Sequence, residues 1–179
     1  MLPVLLAALL AAAPAIAQPS EEWDPQSSLR GLYAAIGGGG AWMFVPGDDD
    51  IGYDVELRLG YSFSPSLQAY VSGALDGATF SGATFRSEQI AAFIQYHFLI
   101  RQAWMLYGRA GIGVGLSGDL APDATATGFA EAAGVGVEIR IAPNLVLAPE
   151  LLYRNTKLSV DQTDRRVQTV ALQLNLVYY

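Results

Sequence analysis

The sequence of 179 residues has no cysteine, one histidine and one lysine. Without cysteine, no disulfide staples the fold and no thiolate chemistry is available. Acidic residues outnumber basic ones, 17 to 10, for a net charge of −7. Nucleic acid is excluded as a partner, because binding it needs a basic face. After residue 17 no apolar run is long enough to cross a bilayer as a helix, and no segment carries a helical repeat. Yet 52% of the chain is hydrophobic. That much apolar character without long runs has to be dispersed through alternating segments.

The first residues are the exception. MLPVLLAALLAAAPAIA is uncharged and apolar and ends on Ala15-Ile16-Ala17 before Gln18. A short apolar core followed by a small-x-small site reads as a secretory signal peptide, cleaved between Ala17 and Gln18, although no Lys or Arg precedes the core. No cysteine follows it, so no lipid anchor is expected there. Residues 18–29 are polar with two prolines and read as a flexible leader. Residues 30–179 then form one domain.

In that domain the stretch YDVELRLGYSF, Tyr53 to Phe63, sets the pattern. Tyr53, Val55, Leu57, Leu59, Tyr61 and Phe63 alternate with Asp54, Glu56, Arg58, Gly60 and Ser62. Strict alternation over this length is a strand, whose successive side chains leave opposite faces. Similar stretches begin at Gly31, Leu67, Gln89, Trp104, Phe129, Leu145 and Thr169. Tight turns at Ser64-Pro65-Ser66 and Ala142-Pro143-Asn144, with the short LIRQ from Leu99, alternate with longer polar connections. Those begin at Val45, Asp76, Ser117 and Asn155. Eight antiparallel strands, with short turns at one end and long loops at the other, predict an all-β, eight-stranded, up-and-down transmembrane β-barrel.

A soluble lipocalin-like binder of apolar ligands alternates too, with its apolar face inward. The glycines decide between them. Gly60, Gly111, Gly113, Gly115, Gly134 and Gly136 share the polar face. Glycine weakens a strand, but it makes room in the interior of an eight-stranded barrel, which side chains just fill. The polar face is therefore inside and the apolar face meets lipid. The interior then holds Asp54, Glu56, Glu138 and Glu150 with Arg58, Arg109, Arg140 and Arg154. Charges in a narrow lumen must be paired, so these eight are expected to form a structural network. Tyr61, Phe63, Tyr96, Phe98, Trp104 and Tyr178 fall at the short-turn end, and Trp42, Phe44, Tyr53, Phe129 and Tyr153 at the long-loop end. Such clusters are the two interfacial girdles of a membrane barrel.

Two residues strain this reading. Pro149 lies within the seventh strand, where it deletes a ladder bond and suggests a bulge or an exposed carbonyl. Glu131 falls on the lipid face and is expected above the hydrocarbon.

From its glycine-rich first strand through YDVELRLGYSF and RAGIGVG to its aromatic C-terminus, the chain resembles the small OmpA/OmpX-like outer-membrane β-barrel family. The resemblance implies periplasmic termini, insertion by the barrel-assembly machinery and an aromatic last strand. It also implies a monomer among outer-membrane lipid and lipopolysaccharide, with loops that can meet an extracellular ligand. Here the apolar series ends on Tyr178, one residue before the C-terminus. Larger relatives continue into a peptidoglycan-binding domain, which is not expected in a sequence ending at Tyr179.

Catalytic chemistry is sparse. Gly113 to Gly118 spells G-x-G-x-x-G, but DLAPDATATG after it cannot be the helix a phosphate site requires. Some barrels of this size modify lipid A with Ser, His and an acid, and that is the enzymatic alternative. The sole histidine, His97, instead belongs to the interior set at the short-turn end. Asp48, Asp49 and Asp50 carry oxygen ligands of the kind that hold divalent cations; a solvated loop tip is the simpler reading. The expectation is a non-enzymatic barrel needing no cofactor or metal, with a structural or surface-interaction role.

Overall fold

A computed structural model describes residues 29–80, 82–118, 126–160 and 163–179; the expected signal peptide, its Ala17/Gln18 junction and most of the leader lie outside them. Eight strands follow in order: β1 (Gly31–Val45), β2 (Asp48–Ser64), β3 (Leu67–Phe80), β4 (Ala83–Ile100), β5 (Trp104–Gly118), β6 (Ala126–Ala142), β7 (Leu145–Val160) and β8 (Thr163–Tyr178). Each pairs antiparallel with the next, and β1 closes on β8 through Ala34–Tyr178 to Phe44–Gln168. Closure leaves no unpaired sheet edge, which a bilayer requires because its core offers no water to backbone groups.

The two faces divide as the alternation predicts. On β2, Asp54, Glu56 and Arg58 are buried inside while Leu57 and Leu59 are 57% and 66% exposed on the outer wall. Leu32, Ile36, Val71, Ile90, Ile94, Ile112, Val135 and Leu172 are exposed on the same outer face. Both girdles point outward, with Trp42 stacked on Phe44 at one end and Tyr61 edge-on to Phe63 at the other. The inward glycines make space for large neighbours. A Cβ on Gly111 would lie 2.5 Å from the Phe93 ring and 2.7 Å from the Ala92 carbonyl, and one on Gly136 2.5 Å from the Tyr107 hydroxyl.

The turns FSPSL and IAPNL are built alike, each with a register shift two residues before its proline-containing turn, at Ser62/Ser64 and Arg140/Ala142. Pro149 has no bulge. Register is the same on both sides of it, from Gly136–Glu150 to Ile139–Leu147, and the ladder is interrupted only toward β6. Toward β8, Pro149 still faces Leu174. A proline lacks one donor, so it breaks one ladder and leaves the other.

The expected long loops from Val45, Asp76 and Asn155 are the main difference, while most of the one from Ser117 lies outside the described residues. Only Pro46 and Gly47 separate β1 from β2, with Gly47 at φ 93°, and residues 81–82 separate β3 from β4. Residues such as Asp48–Ile51 and Ala83–Glu88 continue the strands. Strands of 14 to 18 residues exceed the roughly 9–11 that cross a bilayer, so this end projects as β-hairpins. Alternation fades there because water lies outside a strand that has left the lipid, and its outward residues turn polar.

Leu57→Arg places a charge in lipid near mid-strand and should cost about 2–4 kcal/mol. Gly111→Leu should cost about 1–3 kcal/mol or more by overpacking the interior, and Ile112→Leu should be silent. Reversible unfolding in lipid vesicles measures all three; a tolerated Leu57→Arg beside a silent Gly111→Leu would exchange inside and outside.

Candidate functional site in the barrel interior

Mid-height in the lumen, charged side chains from β2, β3, β5 and β7 converge with amides from β8. Glu56 is their centre. Its Oε1 accepts from Arg109 Nη1 at 2.8 Å, and its Oε2 accepts from Arg109 Nη2 at 2.8 Å, Arg58 Nη2 at 3.0 Å and Arg154 Nη2 at 3.2 Å. One carboxylate thus meets all three guanidinium groups, one of them through the two-pronged geometry that suits Arg to carboxylates. Glu150 accepts from Tyr107 Oη at 2.5 Å and from Arg58 at 3.2 Å, and also pairs with Arg109. Arg154 pairs with Asp54 and donates to Asp76 at 2.8 Å. Gln173 donates to Asp54 and accepts from Arg58 at 3.2 Å, while Asn175 accepts from Arg58 at 3.0 Å. The Arg109 guanidinium also lies 4.8 Å over the Phe93 ring and donates to Tyr70 Oη at 2.6 Å. All these groups are buried.

Local sequence explains the convergence. On β2 the i, i+2, i+4 series Asp54, Glu56, Arg58 points inward. Register then sets Arg58 opposite Ser72, and Arg109 opposite Gly134. Small partners at these points let the long side chains cross the lumen.

Of the eight residues expected to form the network, Asp54, Glu56, Arg58, Arg109, Glu150 and Arg154 meet in this knot. Glu138 is buried but belongs to a separate cluster nearer the short turns. There it accepts from Gln95 Nε2 at 2.8 Å and Tyr179 Oη at 2.9 Å, with His97 Nε2 at 3.3 Å. Arg140 does not join the knot. It is half-buried beside the turn, where Nε donates to the Ala142 carbonyl at 3.2 Å and Nη2 to that of Pro143 at 3.3 Å. It follows Ile139 at the end of β6, beside the Arg140/Ala142 register shift, too far down the barrel to reach Glu56.

Sequence alternation sets Gln173 and Asn175 on the inner face without assigning them to the network, and it missed Asp76, Tyr70, Tyr107 and Tyr179. Tyr107 shares parity with Arg109, so alternation alone could have found it. Asp76 sits where β3 was expected to have ended. Asp76 also changes the charge count: Asp54, Glu56, Asp76 and Glu150 face Arg58, Arg109 and Arg154, one carboxylate more than guanidinium groups.

Toward the hairpin end the lumen changes character. Met43, Ala78, Phe85, Ala130, Leu158 and Val167 are buried there, and Phe80 packs edge-on to Phe85. The interior is polar in its middle and apolar near its outer mouth. Asp48 and Asp50 fall on the face opposite Asp49, which accepts from Trp42 Nε1 at 2.9 Å. Alternation keeps the three from converging on one cation. Among the described residues no cluster of potential ligands could hold a metal.

A family model described as the outer membrane protein beta-barrel domain matches residues 4–179. Among solved structures, neisserial surface protein A is 18% identical with a TM-score of 0.71, over 82% of this chain and 96% of that one. OprG from Pseudomonas aeruginosa is 12% identical with a TM-score of 0.53, over 84% and 97%. The outer membrane enzyme PagL is 18% identical with a TM-score of 0.50, over 80% and 97%. No curated protein matches the sequence.

Glu56→Gln should destabilise the barrel by about 3–5 kcal/mol, the cost of leaving buried charges without their partner. Asp76→Asn removes the surplus charge, leaving three carboxylates for three guanidinium groups, and should therefore cost clearly less than Glu56→Gln although it is buried beside Arg154. Denaturant titrations of both variants in vesicles compare them; equal losses would contradict the central place given to Glu56.

Proposed function

The chain belongs to the outer membrane protein β-barrel domain family, and on that premise we propose that it is a sealed scaffold of the outer membrane. Its activity in this reading lies in the four β-hairpins that project from the bilayer, as a structural element or as a surface for extracellular partners. One observation supports this: buried side chains occupy the lumen at two heights. The charged knot around Glu56 fills the middle of the barrel, and Met43, Phe85, Leu158 and Val167 fill its outer mouth. Opposite charges attract strongly in a partly dried interior, and apolar constrictions exclude water. Solutes then have no path. As the resemblance implies, this reading has the protein inserted as a monomer by the barrel-assembly machinery, with the hairpin end outside.

The outer membrane enzyme PagL has a similar fold, so a catalytic reading is the alternative. What speaks against it here is the position of His97. Its side chain is fully buried, in contact with Glu138 and edge-on to Tyr107 inside the lumen. A general base must come within hydrogen-bond reach of the group it deprotonates, and no lipid reaches this one. A lipocalin-like binder is disfavoured by the exposed leucine and isoleucine wall.

Purified protein in planar bilayers should show no steady porin-sized conductance, and liposomes carrying it should not swell in sugars. Arg109→Ala, which opens the knot, should admit small flickering currents. Sugar permeation through the wild type would mean that the charged residues line a water column.

A further inference from the structure

One charge in the lumen is left over, and the sealed-scaffold reading does not use it. Asp54, Glu56, Asp76 and Glu150 face Arg58, Arg109 and Arg154, so the knot is one guanidinium short. The surplus has a definite place. Asp54 on β2 stands directly opposite Asp76 on β3, and both point inward, 1% and 2% exposed. Directly opposed residues on paired strands have Cβ atoms about 5 Å apart, and like charges there repel. Yet these two carboxyl groups lie within hydrogen-bond reach of each other. Two carboxylates so close and so dry cannot both stay ionised. A hydrogen bond between them needs a proton.

Among the described residues Arg154, from β7, is the cation that faces the pair. It pairs with Asp54 and donates to Asp76 at 2.8 Å through the same nitrogen, and its other nitrogen donates to Glu56 at 3.2 Å. One guanidinium thus serves three carboxylates. Arg58 and Arg109 are engaged lower down by Glu56 and Glu150. On β4, Arg86 and Glu88 point outward, and the inward Ser87 and Gln89 are uncharged. From β8, Thr169 donates to Asp76 at 3.5 Å and Gln173 donates to Asp54, while Arg165 is exposed nearer the hairpin tip. β1 turns no charged side chain inward. On β6, Glu138 belongs to the short-turn cluster.

We propose that the folded barrel holds one proton between Asp54 and Asp76, an acid pair that brings the knot to neutrality. Asp54 is the ionised member, because it also accepts from the Gln173 amide; Asp76 carries the proton and donates it to Asp54. In the unfolded chain both aspartates meet water and ionise near about pH 4. Folding at neutral pH therefore takes up a proton. The folded state then binds more protons than the unfolded one. The stability contributed by the pair is complete in acid and is lost as pH rises and the pair gives its proton up.

The test uses the folded protein in lipid vesicles. Infrared spectra at neutral pH should show the C=O stretch of a protonated carboxyl. Asp76→Asn should remove that band, and Asp48→Asn, at an exposed aspartate of the β1–β2 hairpin, should keep it. Denaturant unfolding from about pH 5 to pH 8 gives a second reading. Relative to Asp76→Asn, the wild-type folding constant should fall by up to about tenfold per pH unit, the dependence that one proton imposes. Asp48→Asn should follow wild type. Asp54→Asn gives the same two readings if Asp76→Asn does not fold. Absence of the band in wild type, a band that survives Asp76→Asn, or parallel pH dependences of the two proteins would overturn the proton pair. So would stabilisation of wild type, and not of Asp76→Asn, by sodium over choline at equal ionic strength, which would put a metal cation in the proton's place.

Discussion

A single carboxylate, Glu56, organises this barrel. It accepts hydrogen bonds from Arg58, Arg109 and Arg154, which reach it from β2, β5 and β7. Taking these ions out of water costs several kcal/mol each unless they find partners, and within an eight-stranded lumen the partners can only be one another. The pairing is therefore also a constraint on shape. Strands must hold the register that brings Arg58 beside Ser72 and Arg109 beside Gly134, because a slip of one residue would send every charge into lipid. The inward glycines follow from the same need, since a Cβ at Gly134 would lie 3.3 Å from Arg109 Nε.

Around the knot the interior is graded. Toward the short turns Glu138 gathers Gln95, His97 and Tyr179, which draws the Tyr179 ring toward the lumen at that end. Toward the hairpins the filling is apolar, with Met43, Phe85, Leu158 and Val167 buried together. The barrel thus separates its two tasks. Its outer surface satisfies the lipid and its inner surface satisfies the charges, and the projecting hairpins add the apolar filling at their base.

Much of this was legible in the sequence because a membrane barrel alternates lipid and lumen with period two. Tyr53 to Phe63 alone separates Leu57 from Glu56 and Arg58 without ambiguity. The glycines on the polar face decided which side was inside, and the outward aromatics marked both interfaces. What stayed hidden has a common physical origin. Where strands leave the bilayer, water lies outside and the alternation weakens, so Asp76, Phe85 and Leu158 read as loop and both the surplus carboxylate and the apolar stopper went unseen. Arg140 was misplaced for another reason. Parity tells which face a side chain takes and nothing of its height, and at the end of β6 the Arg140 guanidinium donates to the turn carbonyls of Ala142 and Pro143. Pro149 suggested a bulge because a proline must lose a ladder bond, but only the β6 side lost one.

The account stands or falls on a dry, filled interior. Because the chain has no cysteine, single thiols can be introduced at Ser72 beside the knot and at Ala130 within the apolar stopper, both buried. Labelling of the folded, vesicle-inserted variants with a water-soluble maleimide measures access directly. The predicted result is no modification at either position until the protein is unfolded by heat, after which both react fully. Rapid labelling of both thiols in the folded barrel would show a continuous water column and contradict the account.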